Sequence, residues 1–265
     1  MFFKRKAYDL LKEWKASDDG RTALLIEGAR RVGKTTLALG FAKNEYRSHI
    51  LIDFSRASAD ILGLFEDFSN DLDEFFMRLQ LITETSLHER DSVIVFDEVQ
   101  FCPKARQMIK VLVEDRRYDY IETGSLIQLQ QNVRGILIPS EEHSIVMHPM
   151  DFEEWLWANG DDVSSGMLKR LFDEKKPLGF HAHEAMMGRF RTYLMVGGMP
   201  QAVDRFIETN DIMSVERVKR DIIGLYMKDM MKLPGKSAEK AQALIKGIPP
   251  PSSPPARRRS IPASS

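Results

Sequence analysis

The chain contains 265 residues, of which 43% are hydrophobic and 29% are charged, and its formal net charge is −1. This length and composition are ordinary for a globular protein with one large domain, or with one domain and a smaller companion. The near-neutral charge excludes a global basic field, so composition gives no argument for nucleic-acid binding. The sequence has one cysteine, Cys102, which excludes an intrachain disulfide and fits a reducing compartment.

The sequence also bears on membranes. Residues 1–6 lack the apolar core of a signal peptide. No apolar run approaches the length of about 18 residues that a membrane-spanning helix needs. We therefore expect a cytoplasmic protein without a membrane partner.

The predicted elements begin with a helix, followed by a strand and a second helix. Residues 7–15 carry apolar side chains at helical spacing, which indicates an amphipathic helix that covers a sheet. Residues 22–26 form a short apolar run with polar neighbours, which is typical of a buried strand. Residues 36–43 are rich in helix-forming types. A glycine-containing segment connects this strand to this helix.

That connecting segment, residues 28–35, matches the phosphate-binding (Walker A) pattern G-x-x-x-x-G-K-[ST] in full. Gly28 and Gly33 allow tight turns that bring backbone N–H groups against phosphate oxygens, and the following helix contributes the positive end of its dipole. Lys34 is predicted to reach the β- and γ-phosphates, and the Thr35 hydroxyl to contact Mg²⁺. The predicted nucleotide-binding residues are Gly28, Ala29, Arg30, Arg31, Val32, Gly33, Lys34, Thr35 and Thr36. A chance glycine-rich turn is the alternative, which the strand–loop–helix context disfavours.

Strands and helices continue to alternate beyond the loop. Residues 60–90 are acidic and helical in pattern, and we expect their buried set to comprise Phe65, Phe68, Phe75, Phe76 and Leu79. Helical spacing returns over residues 104–115. The predicted strands cover residues 22–26, 49–54, 92–98, 118–125 and 143–147. This alternation predicts an α/β fold with a parallel sheet and a ligand at the carboxyl ends of the strands.

The third predicted strand ends in two carboxylates. Four apolar residues, 93–96, precede Asp97 and Glu98, which is the Walker B pattern. We expect Asp97 to hold the Mg²⁺–water shell together with Thr35. Glu98 is the candidate general base that polarises the attacking water. A pair of carboxylates at an ordinary strand end is the alternative, but the upstream phosphate loop makes the combined pattern more specific.

Further candidates lie at and after the tip of the next strand. Thr123 and Ser125 lie where related ATPases keep a polar sensor of the γ-phosphate, although Ser125 fits equally well as the cap of a following helix. Arg134 is a candidate for an arginine that contacts phosphate, in cis or from a neighbouring subunit. A solvent-exposed loop arginine is the simpler interpretation. We expect Arg30 and Arg31, at variable loop positions, to point outward.

The remaining patterns are weaker evidence of function. His181 and His183 face different sides of a helix, and no cysteine or carboxylate cluster completes a metal site there. Cys102 has no recognisable partner histidine and is interpreted as a buried or turn residue. The guanine-reading pattern N-K-x-D is absent from the sequence, which favours adenine over guanine.

The remaining sequence changes character twice. From Asp151 the pattern is helical, with a break at residues 197–200, which predicts a smaller helical domain over residues 151–247 beside an ATPase domain over residues 1–150. Residues 248–265 hold half of the prolines and no acidic residue. A segment of this composition cannot bury a core, and we expect it to be disordered.

With these motifs in place, the chain resembles a family of prokaryotic AAA-type ATP-binding proteins that carry a C-terminal domain of unknown function. The motifs that carry the resemblance are residues 28–36, 95–100, 121–125, 148–154 and 196–200. The resemblance runs from about Arg5 to Gly247. It implies an ASCE-type sheet in which the phosphate-loop strand and the Walker B strand flank the sensor strand.

One departure from this family concerns the end of the chain. Relatives look longer, and continue past a helix that corresponds to residues 240–245 into a winged-helix-like segment and a nuclease-like region. Here that helix is followed by prolines at 249–251. We interpret residues 248–265 as an out-of-frame or truncated end, so DNA binding is implied only by family analogy and nuclease activity is not carried over.

Together the motifs predict a Mg²⁺-dependent ATPase in which Lys34, Thr35 and Asp97 bind and Glu98 catalyses attack of water on the γ-phosphate. The alternative is an ATP-gated interaction module that hydrolyses little. In either case a homo-oligomer or a protein partner is expected. A nucleotide kinase is disfavoured, because Glu98 beside Asp97 suits water activation and the sequence has no arginine-rich lid pattern.

Overall fold

A computed structural model describes residues 2–125, 141–231, 240, 243 and 247. In the first range, helices and strands alternate. The elements there are α1 (Lys6–Asp18), β1 (Ala23–Gly28), α2 (Lys34–Glu45), β2 (Ser48–Asp53), α3 (Ala59–Asp67), α4 (Leu72–Thr83), β3 (Ser92–Asp97), α5 (Pro103–Asp115) and β4 (Asp119–Ser125), with a 3₁₀ turn at Val99–Phe101. The second range contains β5 (Glu142–Met147), α6 (Phe152–Ala158), α7 (Ser164–Asp173), α8 (Phe180–Val196), α9 (Pro200–Thr209) and α10 (Ile212–Met230).

The five strands in the described ranges form one parallel sheet in the order β2-β3-β4-β1-β5. Strand β4 therefore lies between β1 and β3, as the family resemblance implied. The register pairs Gly28 with Ser125 and Phe96 with Glu122. Because all strands run in the same direction, the residues that follow β1, β3 and β4 meet at one edge of the sheet. The predicted α/β fold with a parallel sheet is confirmed.

Both faces of the sheet are covered, which explains the nearly continuous apolar strands. Helices α3, α4 and α5 cover one face, where Leu25, Ile94 and Phe96 are buried. Helices α1 and α2 cover the other face, over Leu24 and Val95. Alternate residues of a strand point to opposite faces, so adjacent positions serve separate cores.

Of the five residues predicted to be buried within residues 60–90, the structure buries four. The buried members are Phe65, Phe75, Phe76 and Leu79. Phe68, the C-cap residue that follows α3, is only partly buried. The guanidinium of Arg78 lies 4.5 Å above the centre of the Phe68 ring and covers part of it.

One acidic side chain lies within the first of these cores. Glu122, in the middle of β4, is fully buried, and no donor among the described residues faces its carboxylate oxygens. The adjacent carboxylate of Glu142 on β5 accepts two hydrogen bonds from Nη2 of Arg106, each 3.1 Å long. Burial raises the pKa of Glu122 well above its usual range, and the charge of Glu142 raises it further. The interior thus favours the neutral acid at Glu122.

Helices α6–α9 and the start of α10 form a third core, which confirms the helical patterns predicted after Asp151. Its buried side chains are Phe3, Met150, Trp155, Leu156, Val196, Ala202, Val203 and Val215. Gly198 lies against the backbone of Met150, and its carbonyl accepts a 2.7 Å hydrogen bond from the Met150 amide. A Cβ at position 198 would lie 2.0 Å from the Met150 carbonyl oxygen. The predicted break between two helices is therefore a close backbone contact that needs glycine.

By internal contacts the chain divides into two compact units, Met1–Val218 and Lys219–Ser265. The first unit holds the whole sheet together with helices α6–α9. The domain boundaries expected at residues 150 and 247 remain predictions, and residues 248–265 lie outside the described part of the chain. Among the described helices, none combines the length and the hydropathy that crossing a bilayer requires.

Candidate nucleotide site

The predicted phosphate loop connects the end of β1 to the start of α2. Gly28 ends the strand, and a Cβ there would lie 2.3 Å from the carbonyl oxygen of Met147. Gly33 is the N-cap of α2 and has a left-handed φ of 97°. A glycine cap has no side chain to occupy the first amides of the helix, so these N–H groups remain available to an anion. The backbone thus requires glycine at both positions, because a side chain would clash at position 28 and would be strained at position 33.

Lys34 turns its ammonium group back over the loop. Nζ donates to the carbonyl oxygens of Gly28 at 3.2 Å and of Ala29 at 3.1 Å. Burial lowers the pKa of Lys34, and the nearby carboxylates of Glu98 and Asp97 partly offset that effect. The ammonium group is therefore held at the loop that the sequence pattern assigns to phosphate.

Two hydroxyl groups converge on Asp97. Thr35 Oγ1 donates to Oδ1 of Asp97 at 2.7 Å, and Thr123 Oγ1 donates to the same oxygen. The side chain of Asp97 is buried. Mg²⁺ in nucleotide sites usually takes one or two carboxylates, with water and phosphate oxygens completing its shell. A single buried carboxylate beside a threonine hydroxyl fits that requirement.

Glu98 follows directly, in a left-handed backbone conformation with φ of 54°. Its amide donates to Thr123 Oγ1 at 3.2 Å, which holds the turn that ends β3. Its carboxylate accepts a hydrogen bond from the side-chain amide of Gln100. A left-handed conformation at a residue other than glycine is costly and is found preferentially at functional sites. Sequence reasoning assigned no role to Gln100, although it lies two residues after the predicted base.

The remaining candidates are distributed around this centre. Ser125 is buried at the end of β4, opposite Gly28 in the sheet register. Arg30 and Arg31 are exposed, and Nη1 of Arg31 donates to the side-chain oxygen of Gln201 at 2.7 Å. Arg134 lies outside the described residues. Thr35 and Thr123 are thus brought to Asp97, whereas Arg31 reaches toward a helix that sequence reasoning did not connect with the loop.

A cavity of about 420 Å³ opens over the loop. It is lined by residues 30, 31 and 33–36 of the loop, by Glu98, and by Phe3, Pro200, Gln201 and Asp204. Its volume lies in the range of small-molecule sites, about 300–1,000 Å³. The participation of α9 has no local sequence signal, because it depends on the contact between two segments that are distant along the chain.

A parallel sheet of this strand order, with a phosphate loop after β1 and a carboxylate pair after β3, defines an AAA-like P-loop ATPase fold with an additional helical region. Residues 20–156, more than half of the chain, match the family model AAA_14, described as an AAA domain, and the chain belongs to this family. Residues 187–259 match DUF8612, a domain of unknown function. The family resemblance expected from the motifs is therefore confirmed.

The chain is also similar to a sequence relative and to solved structures. An uncharacterized protein of Haemophilus influenzae is 29% identical over 161 residues, which cover 58% of this chain and 38% of that protein. The structure of C. elegans PCH-2 is 14% identical with a TM-score of 0.47, over 83% of this chain and 70% of that one. AMPPCP-bound DnaA from Aquifex aeolicus is 13% identical with a TM-score of 0.42, over 91% and 76%. The family assignment rests on the sequence match alone.

Proposed function

We propose that this protein binds ATP with Mg²⁺ and hydrolyses it. The observation that carries the proposal is the convergence of the Thr35 and Thr123 hydroxyls on the Asp97 carboxylate, beside Lys34 and Glu98. Membership in an AAA family supports nucleotide binding. The activity of longer relatives is not transferred, since the chain spans only 38% of the Haemophilus influenzae relative.

The triphosphate would bind to the loop amides and the Lys34 ammonium. Exchange of the two carbonyl partners of Lys34 for charged phosphate oxygens replaces ordinary hydrogen bonds with stronger, charge-assisted ones. Thr35 and Asp97 are the residues that would hold Mg²⁺. When bound, Mg²⁺ neutralises the charge that develops on the β- and γ-phosphate oxygens.

Glu98 is proposed as the base that orients and deprotonates the attacking water. Its carboxylate lines the cavity, and its backbone is anchored by Thr123. Hydrolysis also requires stabilisation of the transferring phosphoryl group, for which an arginine is worth about 10³-fold or more. Arg134, or an arginine from a neighbouring subunit, would supply that charge, and slow turnover of the isolated chain is expected without it.

Adenine is the proposed base of the nucleotide. The sequence contains no guanine-reading N-K-x-D pattern, which supports adenine over guanine. The expected competition order is therefore ATP ahead of GTP.

An ATP-gated interaction module with little hydrolysis is the second candidate function. The hydrogen bond between Arg31 of the loop and Gln201 of α9 favours it, because nucleotide in the loop would compete for Arg31 and release this link to the helical region. The partner would be a second copy of the chain or another protein. Chromatography with and without ATP tests this candidate, since self-association that requires ATP but no turnover would support it.

The decisive experiment for hydrolysis is steady-state phosphate release from Mg-ATP by the wild type, Glu98→Gln and Lys34→Ala. If Glu98 is the base, Glu98→Gln keeps ATP binding and loses turnover, while Lys34→Ala loses binding. Tight ATP binding without turnover in the wild type would favour the interaction module. If the wild type fails to bind ATP, both candidate functions are wrong.

A further inference from the structure

Arg5 lies behind the phosphate loop and is 6% exposed. Its Nη1 donates to the carbonyl oxygen of Val32 at 2.9 Å, and its Nη2 donates to that of His148 at 2.6 Å. Its Nε lies 3.1 Å from Oε1 of Glu154, which is also buried. One guanidinium group therefore joins the loop, the segment after β5 and the first turn of α6.

The contact with Val32 concerns the part of the loop that faces away from the ligand. A loop that turns its amides toward phosphate leaves carbonyl groups on its outer side, and a buried carbonyl without a donor is costly. Nη1 of Arg5 satisfies the Val32 carbonyl and lies 3.9 Å from the position of a Cβ on Gly33. A guanidinium holds two carbonyls in a fixed plane, which a lysine ammonium group does not reproduce.

Glu154 fixes the other side of Arg5. Its carboxylate accepts hydrogen bonds from the backbone amides of Lys6 at 2.7 Å and Asp151 at 3.2 Å. Asp151 accepts in return from the amide of Glu154, so the two residues form the capping box of α6. Since the carboxylate is held by the Arg5 guanidinium and two amides, its orientation and that of Arg5 are determined together.

We propose that Arg5 is a positioning residue for nucleotide binding, which holds the Val32 carbonyl so that the loop amides face the phosphates. Through Glu154 it also links occupancy of the loop to the first turn of α6. This inference rests on the proposed function, because it concerns the same nucleotide site. Lys4 provides a matched control: its exposed ammonium lies 4.4 Å above the Trp157 ring and 3.6 Å from Asp162, both away from the loop.

The first test is calorimetric titration of Mg-ATP into wild type, Arg5→Lys and Lys4→Ala, at a temperature where circular dichroism shows each to be folded. Arg5→Lys is expected to raise the Kd about tenfold or more, the scale of one lost charge-assisted hydrogen bond. Lys4→Ala is expected to retain the wild-type Kd. A purely structural role would lower the melting temperature of Arg5→Lys without changing its Kd, and that result would overturn the proposal.

A second test needs no variant and so applies even if Arg5→Lys fails to fold. Hydrogen exchange of the wild type is compared with and without Mg-ATP. Protection is expected in peptides covering residues 28–36 and also 2–8 and 148–156, which contain the Lys6 and Asp151 amides bound to Glu154. Protection of the loop alone would overturn the inference and leave ATP binding intact. If the loop is unprotected and titration gives no heat, ATP binding itself is wrong and this inference falls with it.

Discussion

The hydroxyl of Thr123 on β4 joins the two carboxylates that follow β3: it donates to Asp97 and accepts the amide of Glu98. The predicted sensor residue therefore orients the predicted metal ligand and, through the backbone, the predicted base. Because this single oxygen serves both neighbours, its loss would disturb catalysis more than nucleotide binding.

We expect Thr123→Val to lower kcat for ATP hydrolysis about tenfold or more, with a KM near that of the wild type. Valine preserves the shape but leaves the partly buried amide of Glu98 without its acceptor, which also costs about 1 kcal/mol of stability. Steady-state phosphate release and urea unfolding measure the two effects. Thr123→Ser keeps the hydroxyl and should recover most of kcat. Equal losses in the serine and valine variants would show that the hydroxyl is not the acting group.

Asp97→Asn tests the proposed metal site. Loss of the negative charge should weaken the binding of Mg²⁺ more than the binding of ATP. The Mg²⁺ concentration required for half-maximal activity should therefore rise about tenfold or more. A Mg²⁺ titration of phosphate release at fixed ATP measures this change. Asp53, at the end of neighbouring β2, gives a matched control in Asp53→Asn. An unchanged Mg²⁺ requirement in Asp97→Asn would remove Asp97 from the metal site.

Glu122 predicts a pH dependence of stability. Because its pKa is raised in the folded state, the native protein retains this proton at pH values where an unfolded glutamic acid has lost it. The free energy of unfolding should therefore fall as pH rises from about 4.3 through the raised pKa, by up to about 1.4 kcal/mol per pH unit. Glu122→Gln cannot ionise, so it should flatten this decline.

Urea unfolding at pH values from about 5 to 9 tests this expectation, with the range chosen from the ordinary glutamate pKa upward. The exposed Glu184 supplies a control, since Glu184→Gln should retain the decline of the wild type. Parallel pH profiles for wild type and Glu122→Gln would contradict the assignment of the decline to Glu122.

Two glycine-to-alanine substitutions should change the stability of the protein in opposite directions. Gly198→Ala places a Cβ against the Met150 backbone and should destabilise the protein by about 1–3 kcal/mol or more. Gly188→Ala, within α8, meets no atom within 4 Å and should stabilise the protein by about 0.5–1 kcal/mol. Chemical denaturation of both variants measures these changes. A neutral Gly198→Ala would mean that the backbone at Met150 yields without cost.

The fold was largely predictable because its signals are local. Strands β1 and β3 are apolar runs of about the mean strand length, and Gly33 has a conformational reason within the loop itself. Residue roles that depend on distant segments were not predictable. Arg5 acts on carbonyls 27 and 143 positions away, and Gln201 lies 170 positions from Arg31. The acid at position 122 also carries no sequence sign of its burial.

Within the site, the sequence located Asp97, Glu98 and Thr123, because they lie at the carboxyl-terminal ends of two predicted strands and parallel strands end at one edge. Their catalytic roles remain predictions. The hydrogen bond from Gln100 to Glu98 was not foreseen, since it depends on the 3₁₀ turn that begins at Val99. Arg134 remains a prediction outside the described residues.

Strand β1 lies between β4 and β5, so the phosphate loop emerges from a strand that is hydrogen-bonded on both sides. Thermal fluctuations that detach the outer strand β2 need not disturb it, whereas opening of β1 breaks two ladders at once. We therefore expect the predicted phosphate loop to be attached to one of the last parts of the sheet to open. Helix α9, which also lines the cavity, is held instead by the packing of Ala202 and Val203 in the third core, so the two parts of the cavity wall are supported by different kinds of contact.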